Sequence, residues 1–230
     1  MTAPPPARAR ALLFDFGGTL DAQGVPWKER FYRIAREEGL DLPQPEFDPA
    51  FYGATDALEG TIPREAGLRE TVERVADGLS TRLRRDPALL RRIGARFYDD
   101  SARQLAESAA LLAGLRGRYR LGIVSNFYGN LQAVLDETGL APAIEVAVDS
   151  TRLGCKKPDP RIFRAALAAL DAAPGQAVFV GDSPTRDMQG ARAIGMRHVW
   201  LRPTDAPGRD PCCPDDTIIP RLVDLLGLEL

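Results

Sequence analysis

The stretch ALLFDFGGTL, residues 11–20, decides how the chain is interpreted. It begins with an apolar run, which is typical of a strand buried inside a sheet. Asp15 ends this run, and Gly17 and Gly18 follow almost at once. The pattern predicts a reactive carboxylate held at the tip of a buried strand.

Four further apolar runs resemble strands. They lie at 120–124, 144–148, 177–180 and 198–201, and helical patterns lie at about 128–138, 160–171 and 186–194. Strands that alternate with helices are typical of a parallel sheet covered on both faces. We therefore expect an α/β fold with a doubly wound, Rossmann-like parallel sheet.

The segment 22–105 has a different pattern, with apolar stripes at helical spacing and no strand-like run. The Pro- and Gly-rich stretch 41–63 leaves room for one more short helix within it. We expect the following division: a disordered lead-in at 1–9, an α/β core domain at 10–21 and 106–230, and a helical cap domain at 22–105.

Composition excludes several classes of protein. A net charge of -2 gives no electrostatic footprint for nucleic acid or an anionic membrane, so we expect neither as a partner. Three cysteines do not make a disulfide framework, and the adjacent Cys212 and Cys213 are poorly placed to bridge each other. Together with the lack of a signal-like or membrane-spanning run, this predicts a cytoplasmic protein. The oligomeric state is left open.

Polar side chains follow four of the predicted strands. They are Asp15, Ser125, Asn126, Lys157, Asp182 and Asp187. Because ligands bind at the carboxyl ends of the strands in such a sheet, we expect these side chains to converge.

The residue types suit phosphoryl transfer. A carboxylate such as Asp15 can attack phosphorus and form an aspartyl-phosphate. Mg²⁺ prefers oxygen ligands and takes one or two carboxylates, which Asp15 and Asp182 provide. Lys157 supplies a compact positive charge and Ser125 a hydroxyl donor for the phosphoryl oxygens.

Four motifs in this order resemble the haloacid dehalogenase superfamily of hydrolases, in its phosphatase-like branch with a helical cap inserted after the first strand. The motifs are DFGGTL at 15–20, VSN at 124–126, GCKKPDPRIF at 154–163 and VGDSPTRD at 180–187. The resemblance covers 10–20 and about 108–202. It implies a hydrolase that acts on a small phosphorylated metabolite with Mg²⁺ as its cofactor.

The resemblance also implies a role for each matching residue. Asp15 and Lys157 are catalytic; Asp15, Asp182 and the backbone carbonyl of Gly17 hold Mg²⁺; Thr19, Ser125, Asn126 and Lys157 bind the phosphoryl group; and Asp187 supports the metal or orients the lysine.

Gly17 departs from the pattern, because most phosphatases of this superfamily carry an Asp there that protonates the leaving group. General acid–base catalysis contributes roughly 10²–10⁴-fold to a rate. We therefore expect substrates whose leaving group needs little protonation, such as anomeric or acyl phosphates, unless the substrate or a cap residue supplies the proton.

Alternative functions remain open at this point. The main one is a weakened or non-enzymatic relative that binds a ligand or partner. A phosphonate hydrolase is less favoured, because Lys28 is the only lysine in the cap and we expect it to be solvated. A haloacid dehalogenase is less favoured because of Gly17 and Asp182. Lys156 and Arg186 are also expected to be solvated, although either could meet an anionic substrate.

Overall fold

The computed structural model describes residues 8–206, 211–213 and 216–230. Within them, six parallel strands form one sheet in the order β3-β2-β1-β4-β5-β6. The strands are β1 Ala11–Phe14, β2 Arg120–Ser125, β3 Val146–Asp149, β4 Ala177–Gly181, β5 Arg197–Leu201 and β6 Thr217–Ile219. The predicted α/β fold with a parallel sheet is confirmed, and β6 is a strand that the sequence did not predict.

The first strand is the centre of the sheet. β1 pairs with β2 on one side and β4 on the other, and all four of its residues are fully buried. Leu12 and Phe14 pack into one hydrophobic cluster, whereas Ala11 and Leu13 pack into the other. The chain therefore leaves β1 between two neighbouring strand ends, where the crossover direction changes and a ligand crevice opens.

Of the helices in the described residues, four follow β1 directly and the others lie between later strands. They are α1 Trp27–Glu37, α2 Gln44–Asp56, α3 Leu68–Leu83, α4 Pro87–Leu115, α5 Leu131–Glu137, α6 Ser150–Leu153, α7 Pro160–Ala169 and α8 Gln189–Ala193. The one helix expected in the stretch 41–63 is α2. α4 begins at Pro87 with the Asp86 carboxylate accepting from Ala88 N. It runs unbroken through residue 105, where the cap boundary was expected.

The four helices after β1, called the helical insert below, share a core with the sheet. The rings of Phe31 and Phe97 stack with centroids 4.1 Å apart. These side chains belong to the same buried cluster as Leu12 and Phe14 of β1. The insert is therefore packed on the sheet through apolar side chains next to the carboxyl end of β1.

The structure differs from the sequence-based expectations at residue 9 and at the adjacent cysteines 212 and 213. Residues 1–7 of the expected disordered lead-in lie outside the described residues. Ala9, which was expected to belong to that lead-in, is only 6% exposed and packs in the core. Cys212 and Cys213 form a disulfide, so the expectation that they could not bridge each other was wrong. Among the described helices, none is both long and apolar enough to cross a bilayer.

Candidate active site

A cavity of about 710 Å³ lies at the carboxyl ends of the central strands. Asp15, Ser125 and Lys157 line it from the sheet side. Trp27 and Tyr52 line it from the helical insert. The strand ends thus bring together side chains that are separated by more than a hundred residues in the sequence.

The carboxylate of Asp15 is held through one of its two oxygens. Oδ1 lies 2.7 Å from Lys157 Nζ, and it accepts from Ser125 Oγ at 3.0 Å and from Phe16 N at 2.7 Å. Asp15 is 5% exposed and lines the cavity. Because all of these contacts fall on Oδ1, Oδ2 is the oxygen left to react.

Lys157 is buried between two carboxylates. Its Nζ lies 2.7 Å from both Asp15 Oδ1 and Asp187 Oδ1, and the residue is 4% exposed. Burial lowers the pKa of Lys157, but the charges of the two aspartates outweigh that effect and the net pKa is raised. The lysine is therefore a permanent cation beside the carboxylate of Asp15.

Asn126 fixes the loop that carries this lysine. Its side-chain oxygen accepts from Lys157 N at 2.7 Å, and its Nδ2 donates to Lys157 O at 3.1 Å. Both ends of the carboxamide are thus occupied by the Lys157 backbone. Asn126 still lines the cavity, but its side chain positions the lysine.

The carboxylates of Asp15, Asp182 and Asp187 form a buried cluster, with oxygens within 4.8 Å of one another. Asp182 Oδ2 is buried and has no hydrogen-bond partner among the described residues. Burial, followed by the charges of Asp187 and Asp15, raises the pKa of Asp182 to about 8. When ionised, the three carboxylates outnumber the two cations whose charges act on them, Lys157 and Arg186, so the oxygen-rich cluster fits a hard divalent cation.

The remaining predicted residues occupy different places. Gly17 lines the cavity. Thr19 is fully buried, and its hydroxyl lies 3.4 Å from Asp182 Oδ1, so it braces a carboxylate behind the cavity wall. Gly18 has a φ of +95°, and a Cβ there would lie 2.8 Å from Asp182 Oδ2. Only glycine permits that close approach.

The sequence did not indicate that several other residues line the cavity. Trp27 and Glu59 belong to stretches whose spacing indicated only helix packing or a loop. Lys28 was expected to be solvated, which was wrong: its side chain is 15% exposed and its Nζ lies 2.5 Å from Asp48 Oδ2. Lys156 forms an ion pair with Glu59, so the loop before Lys157 contacts the helical insert at the cavity.

A second group lies at the amino ends of β5 and β6, at the opposite edge of the sheet. His198 Nε2 is 2.5 Å from Asp216 Oδ1, with Cys213 beside them. Because Cys213 is in a disulfide, its sulfur is not a thiolate ligand. His198 lies near the amino end of β5, whereas the cavity opens at the carboxyl ends of the central strands.

Comparison with known proteins identifies the family. The family model that describes haloacid dehalogenase-like hydrolases matches residues 9–195 of this chain. The chain is a haloacid dehalogenase-like hydrolase. The expected superfamily membership is confirmed.

Relatives of this hydrolase align over most of its length. The chain is 32% identical to haloacid dehalogenase-like hydrolase domain-containing protein 3 of Mus musculus, over 94% of this chain and 92% of the relative. It is 34% identical to phosphoserine phosphatase of Thermus thermophilus, over 86% and 76% of the two chains. The crystal structure of a HAD phosphatase from Thermococcus onnurineus has a TM-score of 0.58 at 24% identity, covering 95% and 96% of the chains. At this level of sequence identity, the structural similarity supports the fold alone.

Proposed function

We propose that this hydrolase is a Mg²⁺-dependent phosphatase that acts on small phosphorylated metabolites through an aspartyl-phosphate on Asp15. The observation that carries the proposal is the position of Asp15. Lys157 and Ser125 both contact the same oxygen, Oδ1, which leaves Oδ2 for the reaction, and the residue lines the cavity. The similarity to a phosphoserine phosphatase supports cleavage of a phosphoric ester.

The residues of the chain supply the nucleophile and the groups that stabilise charge in both halves of the reaction. Asp15 Oδ2 attacks phosphorus, the bond from phosphorus to the leaving oxygen breaks, and that oxygen departs with the electron pair. Water then attacks phosphorus of the aspartyl-phosphate, the bond from phosphorus to Asp15 Oδ2 breaks, and the carboxylate is restored; one proton of the water stays on the released phosphate and the other passes to solvent, where the departed leaving group also takes up its proton. Lys157 and Ser125 are near enough to Asp15 to stabilise the phosphoryl oxygens in each step.

Mg²⁺ would be held by Asp15, Asp182 and the backbone carbonyl of Gly17, and it would supply positive charge between the nucleophile and the phosphoryl group. Asp182 Oδ2, which is buried without a hydrogen-bond partner in the part of the chain that the structure describes, supports this assignment. Asp187 binds Lys157 at 2.7 Å and so orients the lysine. We therefore assign Asp187 to the positioning of the Lys157 ammonium.

The main alternative is a ligand-binding relative without turnover. Buried carboxylates are costly when they are not used, and Asp15, Asp182 and Asp187 are all at most 5% exposed. A phosphonate hydrolase would need Lys28 as an amine, and that lysine is engaged by Asp48 and Glu29. Both observations favour the phosphatase.

The test is release of inorganic phosphate from an aryl phosphate, whose acidic leaving group tolerates a missing acid. We expect release that needs Mg²⁺ and is lost in Asp15→Asn. Asp77→Asn on the exposed face of α3 is the matched control and keeps full activity. Release that persists in Asp15→Asn, or no release at all with Mg²⁺ present, would overturn the proposal.

A further inference from the structure

The space beside Gly17 is filled by a tryptophan. A Cβ built on Gly17 would lie 3.2 Å from Trp27 Nε1 and 3.4 Å from Trp27 Cδ1. The backbone at Gly17 has φ -76° and ψ 116°, which any residue adopts. Space rather than backbone conformation is therefore what limits this position.

The indole of Trp27 is fixed on several sides. Its Nε1 donates to Asp21 Oδ2 at 2.7 Å. Its ring meets Phe97 and Phe127 edge to face, with centroids 5.1 and 6.2 Å away. The residue is 8% exposed and lines the cavity. The ring cannot swing aside without losing these contacts.

The partner of the indole is itself held in a buried network. Asp21 is fully buried, accepts from Gly18 N at 2.7 Å and lies 2.9 Å from Arg30 Nη1. Arg30 also donates to Ser101 Oγ at 2.8 Å. The network joins the turn after β1 to α1 and α4. It connects the wall of the cavity to the backbone that carries Gly17.

This arrangement has a chemical consequence. The only N–H of the indole is already donated to Asp21, so Trp27 offers no proton to a leaving group. The Cβ of any side chain at Gly17 is in tight contact with the indole, so a carboxylic acid there needs the anchored ring to shift. Neither position 17 nor the indole therefore supplies a proton to the leaving oxygen.

We infer that Trp27 determines which substrates this site accepts. It selects phosphate compounds whose leaving group is a weak base, with the leaving oxygen attached to a ring or a carbonyl carbon. It also keeps position 17 closed to a general acid. Asp21 and Arg30 are positioning residues that act through the indole. The inference rests on the proposed phosphatase function and specifies its substrate class.

A double-mutant cycle with Gly17→Asp, Trp27→Leu and the double variant tests this. The substrates are 4-nitrophenyl phosphate, with an acidic leaving group, and glycerol phosphate, with an alkoxide one. In the Trp27 protein, Gly17→Asp should change the glycerol-to-aryl rate ratio less than about tenfold. In the Trp27→Leu protein, the same change should raise that ratio by roughly 100-fold or more, as a restored general acid would.

A gain of roughly 100-fold from Gly17→Asp in the presence of Trp27 would overturn the inference, because the acid would then fit without clearing the indole. That outcome needs only one variant and holds even if Trp27→Leu does not fold. A double variant with no gain in the ratio would also overturn it.

Thermal unfolding separates this inference from the proposed function, because it needs no turnover. Gly17→Asp should lower the unfolding temperature in the Trp27 protein and lower it much less in Trp27→Leu. Gly114→Asp is the matched control, since a side chain there meets open space, and it should leave the unfolding temperature unchanged. Equal losses from Gly17→Asp in both backgrounds would overturn the inference, whereas inactivity of every variant on every phosphate would overturn the phosphatase function alone.

Discussion

Substitution of Asp21 by Asn should destabilise the protein severely. The carboxylate is fully buried and is the counter-ion of Arg30, whose side chain is only 6% exposed, at 2.9 Å. Removal of one partner from a buried ion pair costs about 3–5 kcal/mol, because the other charge stays buried without compensation. At roughly 2–4 °C per kcal/mol for a chain of this size, the unfolding temperature should fall by about 6–20 °C.

Urea denaturation followed by circular dichroism measures this change as a lower midpoint with an unchanged slope. Glu37→Gln is the control, because it removes a carboxylate from exposed pairs with Arg33 and Arg96; its midpoint should stay within error of the wild type. A loss of less than about 1 kcal/mol in Asp21→Asn, the size of an average substitution, would refute the argument that this pair holds the turn after β1.

Three further predictions concern the cavity. Mg²⁺ should raise the unfolding temperature of the wild type by differential scanning fluorimetry, and this gain should be lost in Asp182→Asn; an equal gain in both proteins would place the cation elsewhere. Gly18→Ala should abolish Mg²⁺-dependent phosphate release and lower the unfolding temperature, because a Cβ there lies 2.8 Å from Asp182 Oδ2 on a backbone with φ +95°. Glu59→Gln should raise KM several-fold with little change in kcat or stability, because its ion pair with Lys156 lies at the cavity between the insert and the sheet; an unchanged KM would remove this pair from substrate binding.

The sequence predicts the sheet and the strand tips well, for a physical reason. β1 and β4 are buried on both faces, so each shows as a continuous apolar run that ends at Asp15 or just before Asp182. β6 was missed because it is only three residues long and two of them are exposed. A short edge strand forms by pairing with β5 and leaves almost no pattern in the sequence.

The residues that line the cavity from the helical insert were less predictable than those at the strand ends. Trp27 belongs to an apolar stripe in the segment 22–105, which predicts helix packing, and its contact with the ring of Phe97 agrees with that prediction. Its contact with Gly17 depends on how α1 is placed against the turn after β1, and periodicity carries no such information. The same is true of the Asp21–Arg30 pair, which joins two segments that the sequence analysis assigned to different domains.

Trapping the covalent intermediate is the most direct test of the central claim that Asp15 is the nucleophile. The protein is mixed with an aryl phosphate and Mg²⁺, quenched in acid within a turnover, digested and analysed by mass spectrometry. We predict one added phosphoryl group on the peptide that contains Asp15, absent without Mg²⁺ and absent in Asp15→Asn. Continued turnover with no phosphoryl group on Asp15, or with the group on another residue, would contradict the account.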